Sequence, residues 1–155
     1  MIEAGFAAIG WAKPAAQYER YLAEQQADRR RIFVAWVDGA FAGYVTLVWE
    51  PDYAPFRTEG IPEIQDFNVL PAFRRRGIGS ALLDAAEAAA AERGRVMGIG
   101  VGLDPDYGPA QRLYVLRGYV PDGRGITWQN RTVAYRDQVL VDDDLVLWFT
   151  RELPE

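Results

Sequence analysis

The period of the hydrophobic positions changes several times along the chain, and each change marks an element. After Lys13-Pro14, the stretch AAQYERYLAEQQ predicts a helix with proline near its first turn. Residues 31–37 (RIFVAWV) and 41–48 (FAGYVTLV) are rich in β-branched and aromatic side chains and predict two strands. Asp38-Gly39 between them is a two-residue hairpin signal. Pro51, Pro55, Gly60 and Pro62 then break the pattern into an irregular stretch carrying Trp49, Tyr53 and Phe56. Residues 64–69 predict another strand, closed by Pro71, and residues 77–93 the clearest helix. In that helix Ile78, Ala81, Leu82 and Ala85 fall on one face, and Gly94 supplies the stop. A strand over 95–103, a short helix over 109–117 and an extended path from Gly118-Tyr119 follow. Two further extended segments are expected at 132–141 and 145–150, whereas residues 1–11 show little strand character. Strand–helix–strand–helix in the middle implies a partly parallel sheet, and the flanking hairpins imply antiparallel edges. The expected fold class is mixed α/β.

Composition narrows this to one domain over residues 1–155, half hydrophobic and long enough for a sizeable core. No apolar run nears the roughly 18 residues that would span a membrane. No basic stretch followed by an apolar one opens the chain, so a cytoplasmic location is the default. There is no cysteine and no histidine. Disulfides, thiol nucleophiles, Ser-His-Asp and Cys-His triads and HExxH zinc sites are thereby excluded, and no metal site is expected. Acid–base chemistry falls to Asp, Glu, Tyr, Lys or water held by them. The net charge of −5, from 22 acidic and 17 basic residues, argues against a nucleic-acid partner. It suits a cationic partner, or solubility alone.

One constellation carries chemistry: a strand, Pro71, then Arg74-Arg75-Arg76, Gly77-Ile78-Gly79 and Ser80 opening a helix. The first N–H groups of a helix lack internal partners and carry about half a positive charge. Glycines there let an anion approach closely, and arginine forks suit phosphate oxygens. The nucleoside-triphosphate pattern GxxxxGK[ST] is absent, and Leu82 stands where the dinucleotide fingerprint needs its third glycine. The pattern [QR]xxGx[GA] fits Arg74, Gly77 and Gly79; an ordinary strand-to-helix turn with solvated arginines is the competing reading.

Taken with Glu63, six residues before Val69, and Tyr114, 35 after Gly79, the chain resembles the GNAT superfamily of N-acetyltransferases. The resemblance runs from about residue 61 to 121 and rests on EIQDFNVLPAFRRRGIGSALL and AQRLYVLRGY. It implies a partly parallel central sheet flanked by helices, with a splayed central strand pair. It implies acetyl-CoA as co-substrate, its pantetheine arm paired with the backbone of Asn68 and Val69 as an added strand would be. The diphosphate would meet the backbone amides of Arg75, Arg76, Gly77, Ile78, Gly79 and Ser80. Tyr107 stands where many relatives carry an arm-contacting asparagine. Gly98, Gly100 and Gly102 share one strand face and either make room for cofactor or acceptor or let a helix pack closely.

The reaction so implied is direct attack of a primary amine on the acetyl thioester in a ternary complex. An alkylammonium, with a pKa near 10.4, must lose a proton, and the thiolate, near 8.5, gains from a donor. By position Tyr114 is the family's acid, and Glu63 matches the acidic position of relatives that use a strand glutamate as base. Asp66 and solvent are the alternatives for the base. In a regular strand Glu63 and Asp66 face opposite sides, a parity that a bulge would upset. The acceptor is a small-molecule or peptide amine, and a homodimer is compatible with the sequence. The aromatic stretch 49–56 and the acidic residues Asp104, Asp106 and 142–144 suit a cationic amine. A non-catalytic acyl-CoA-binding or sensory module, and a structural interaction domain, are the other readings.

Overall fold

The computed structural model describes Ala7 and residues 14–154. The expectation for residues 1–11 therefore lies outside the described residues, save Ala7. Among the described residues seven strands form a mixed sheet with one parallel pair, flanked by helices, so the fold is mixed α/β as the pattern implied. The chain gathers into two compact units, Met1–Trp49 with Ile64–Ala89, and Glu50–Glu63 with Ala90–Glu155. No helix among the described residues is long and apolar enough to cross a membrane.

In the first unit, helix α1 spans Ala15–Gln26, with Pro14 as its N-cap residue, where no N–H is needed. Gln17, Tyr18, Tyr21 and Glu24 recur at helical spacing and are its sheltered positions; of these Tyr21 alone is buried. Strands β1 (Arg30–Val37) and β2 (Ala40–Val48) pair antiparallel, from Arg30 opposite Val48 to Val37 opposite Ala40. Asp38 and Gly39 at their turn both take positive φ, 49° and 78°, as the twist of a two-residue hairpin requires. Strand β2 is buried from Phe41 through Leu47, which explains its unbroken apolar run. Beside it lies β3 (Glu63–Val69). Tyr21, Phe41, Tyr44 and Leu70 form the core here. The buried Arg30 closes one edge, its Nε donating to Glu24 at 2.6 Å and its guanidinium lying 4.0 Å over the Tyr21 ring.

Helix α3 (Ile78–Ala91) begins one residue later than its pattern suggests. Its buried apolar residues are Leu82, Leu83, Ala86, Ala89 and Ala90, with Glu87 buried beside them, Ala81 exposed and Ala85 half-buried. The apolar run is continuous enough to permit either face, and packing selects the one with both leucines.

In the second unit β4 (Val96–Gly102) pairs antiparallel with β7 (Leu145–Glu152), and β7 with β5 (Val120–Trp128). The two-residue β6 (Arg131–Thr132) pairs with the end of β5. Helix α4 spans Gly108–Leu116. Two expectations are corrected. The proline-broken aromatic stretch holds a six-residue helix, α2 (Ala54–Glu59), which puts Phe56 in the core and ends at Gly60 with φ 67°. Beyond Thr132, residues 133–141 are not a strand. A turn intervenes, with the Asp137 carboxylate accepting from Ala134 N–H at 2.8 Å and Arg136 at φ 73°, and Tyr135, Leu140 and Val141 are exposed. Apolar side chains with no sheet face to cover do not extend a ladder.

Candidate active site

The glycine turn lies in the first unit. After β3, Pro71–Phe73 makes a 3₁₀ turn, Arg75 takes φ 58° and Gly77 φ 77°, and α3 starts at Ile78. Ala81 N–H makes the first bond of the helix, to Gly77 O at 3.0 Å, so the N–H groups of Ile78, Gly79 and Ser80 precede any intrahelical acceptor. The two glycines serve different needs. A Cβ at Gly77 would meet nothing within 4 Å, so its requirement is conformational. A Cβ at Gly79 would lie 3.1 Å from Phe67 Cζ and 3.7 Å from Val69 Cγ2, so there the requirement is space beside β3. Gly77→Ala is expected to cost about 1–2 kcal/mol, the penalty of a left-handed Cβ, visible as a lower Tm.

The three arginines stand at the head of the turn, Arg74 next after the 3₁₀ turn. Arg74 Nε donates to Val69 O at 3.1 Å, which ties the turn to the end of the strand. The Arg76 guanidinium sits 5.7 Å from the Phe73 ring, and all three side chains are exposed. Asn68 and Val69 press against β2, where a Cβ on Gly43 would be 2.4 Å from Asn68 O and 3.0 Å from Val69 Cα. Thus Asn68, Val69, Arg74 and the 75–80 turn are brought together around the end of β3.

Asp66 is held at its carboxylate by side-chain donors. Its φ is 53°, and its carboxylate accepts from Gln17 Nε2 at 2.7 Å, Tyr21 Oη at 3.1 Å, Tyr44 Oη and Asn68 Nδ2 at 2.9 Å. Three of these donors converge on Oδ2 and one takes Oδ1, so both oxygens accept hydrogen bonds. The left-handed residue also breaks the alternation on which the Glu63–Asp66 parity rested.

Glu63, Tyr107 and Tyr114 belong to the second unit. Glu63 is buried, 6% exposed, at the start of β3. Tyr114 is buried on α4, its ring 6.0 Å from that of Tyr119, and its hydroxyl makes no hydrogen bond among the described residues. Burial, then neighbouring Tyr107, holds its phenol above the ordinary tyrosine value, so it keeps its proton well past neutrality. Gln111 Nε2 donates to Gly102 O at 2.8 Å and fixes α4 against the end of β4. Tyr107 is spoken for. Its hydroxyl donates to Asp143 Oδ1 at 2.8 Å, and burial followed by that bond pushes its pKa up to about 12.

The glycine face of β4 is filled by side chains. A Cβ at Gly98 would lie 2.2 Å from Phe56 Cε2, at Gly100 2.7 Å from Trp148 Cζ3, and at Gly102 2.4 Å from Tyr107 Cδ2. Of the two roles open to these glycines, close packing is the one the structure displays. The same packing withdraws Tyr53 and Phe56 from the proposed amine-facing aromatics: both are buried, and Tyr53 stacks on Trp148 at 4.1 Å. Sequence reasoning missed the donors around Asp66 and the Tyr107–Asp143 bond. One signal was present, since a lone glycine inside β2 marks a close backbone approach.

The profile of the acetyltransferase (GNAT) family matches residues 5–119, which run through both units. No curated protein sequence matches the chain significantly. Among solved structures, it is similar to ribosomal-protein-alanine N-acetyltransferase from Brucella melitensis, with TM-score 0.66 and 19% identity, over 93% of this chain and 82% of that one. It is also similar to yncA from Salmonella typhimurium, solved with its cofactor acetyl-CoA, with TM-score 0.63 and 20% identity over 93% and 76%. Nourseothricin acetyltransferase superposes with TM-score 0.61 at 25% identity over 83% and 68%.

Proposed function

Because the chain belongs to the acetyltransferase (GNAT) family, whose general reaction is acetyl transfer from acetyl-CoA, we propose that it acetylates a primary amine by direct attack in a ternary complex. The observation that carries this reading is the turn from Arg74 to Ser80. It offers the leading N–H groups of a 14-residue helix, a left-handed glycine and a second glycine whose Cβ would crowd the Phe67 ring. Those donors fit a diphosphate, and the backbone of Asn68 and Val69 is assigned to the pantetheine arm. Acetyl-CoA supplies the activated acyl group, and the residues of this chain hold it and move protons. Tyr114 is assigned as the acid that meets the departing sulfur, its phenol being protonated at neutral pH. Glu63 is assigned as the base, acting on the amine directly or through water; the occupied carboxylate of Asp66 favours this choice. Tyr107 is retained beside the cofactor as a packing residue, since its hydroxyl serves Asp143.

The acceptor is a small-molecule or peptide amine; similar structures act, by their names, on a ribosomal-protein alanine and on nourseothricin. A panel of amines scored by thiol release from acetyl-CoA tests the reading, and calorimetry with acetyl-CoA tests its premise. No binding at high micromolar concentration rejects both catalysis and the acyl-CoA-binding alternative. Binding without turnover on any amine favours that alternative. Glu63→Gln is expected to abolish the acidic limb of the pH–rate profile, because the rate then no longer depends on ionising a carboxyl group. An identical limb in the variant withdraws the base assignment.

A further inference from the structure

The backbone of β3 is held to β2 on both sides of Asp66. Thr46 Oγ1 donates to Gln65 O at 3.0 Å, and Leu70 N–H donates to Ala42 O at 2.9 Å. Between these two contacts Asp66, at φ 53°, is the β3 residue with left-handed backbone. Aspartate tolerates that conformation better than most residues, but tolerance alone does not select it.

Selection comes from the side chain. Gln17 Nε2, Tyr21 Oη and Tyr44 Oη converge on Asp66 Oδ2, and Asn68 Nδ2 takes Oδ1. Gln17 also donates to Tyr21 Oη at 2.9 Å, so the donors position one another. Tyr44 is fully buried and Tyr21 nearly so, which fixes two of the phenols in the core of the unit. The carboxylate therefore bolts the kink of β3 to helix α1 and strand β2, and its fourth donor is the residue whose backbone is assigned to the pantetheine arm.

We propose that Asp66 is a positioning residue for acyl-CoA: its carboxylate, gripped by Gln17, Tyr21, Tyr44 and Asn68, locks the left-handed kink that sets the course of the Asn68–Val69 backbone. The inference rests on the acyl-CoA reading above and adds to it a residue that touches neither thioester nor amine.

Three variants test it by calorimetric Kd for coenzyme A, thermal melting and pH–rate profiles. Asp66→Gly keeps left-handed freedom and removes the latch; Kd and KM for acetyl-CoA are expected to rise roughly ten-fold with a smaller change in kcat. Tyr44→Phe removes one donor and should weaken binding in the same direction, less strongly. Asp66→Asn keeps both the backbone tolerance and an acceptor oxygen, and the Asn68 amide can turn to pair with it, so affinity should recover and the acidic limb should stay. Asp66→Gly binding coenzyme A as the unaltered protein does, or melting lower with Kd unchanged, overturns the proposal. Loss of the acidic limb in Asp66→Asn overturns it too, by making Asp66 the base. Failure of the unaltered protein to bind coenzyme A rejects the acyl-CoA reading itself, an outcome distinct from the others.

Discussion

Tyr114→Phe is expected to lower kcat by about 10²–10⁴-fold, the usual contribution of a positioned acid or base, while coenzyme A affinity stays close to that of the unaltered protein. The variant removes one oxygen and leaves the buried ring against Tyr119. Because no hydrogen bond to that hydroxyl forms among the described residues, little stability should be lost with it. Melting temperature thus separates a chemical role from a packing one: kcat falls and Tm holds. The alkaline side offers a second check. The acid must be protonated, and its protonated fraction is lost as pH rises through the folded-state pKa, which burial holds above the ordinary value of about 10. Activity limited by this group should therefore persist beyond pH 10 where the fold survives. Unchanged thiol release in Tyr114→Phe would sink the assignment.

The glycine turn was legible in sequence because the constraints on it are local. Gly77 needs a left-handed backbone and Gly79 needs space, and both follow from where a strand ends and a helix begins. Helix α1, the β1–β2 hairpin and α3 were legible for the same reason, each being written in a period and a stop signal over neighbouring residues. What escaped depends on partners distant in the chain. Asp66 reads as one more carboxylate on a strand until Gln17, Tyr21 and Tyr44, all more than 20 residues away, are seen to meet it. Tyr107 reads as a phenol open to a ligand until Asp143 takes its hydrogen. The stretch 133–141 shows the converse: apolar side chains suggested a strand, but strand character is conferred by a face to pack against, and Tyr135, Leu140 and Val141 have none.

The glycines of β4 allow the sharpest separation of cofactor space from core. Gly98→Ala would set a Cβ 2.2 Å from the ring of Phe56, a side chain with no exposure at all and Trp148 and Tyr53 packed edge-on to it. Such a ring has nowhere to swing, so the cost should reach about 3 kcal/mol, near the top of the range for overpacking. In a chain of this length that corresponds to a fall in Tm of roughly 6–12 °C. Phe56→Leu alone should also destabilise, by leaving a void, yet in the Gly98→Ala background it removes the clash. The two changes should therefore couple by about 0.5–3 kcal/mol, with the double variant more stable than the sum of the singles predicts. Additive effects, or a raised KM for acetyl-CoA at unchanged Tm, would instead mean that the face of Gly98 serves a ligand and that Phe56 gives way to it.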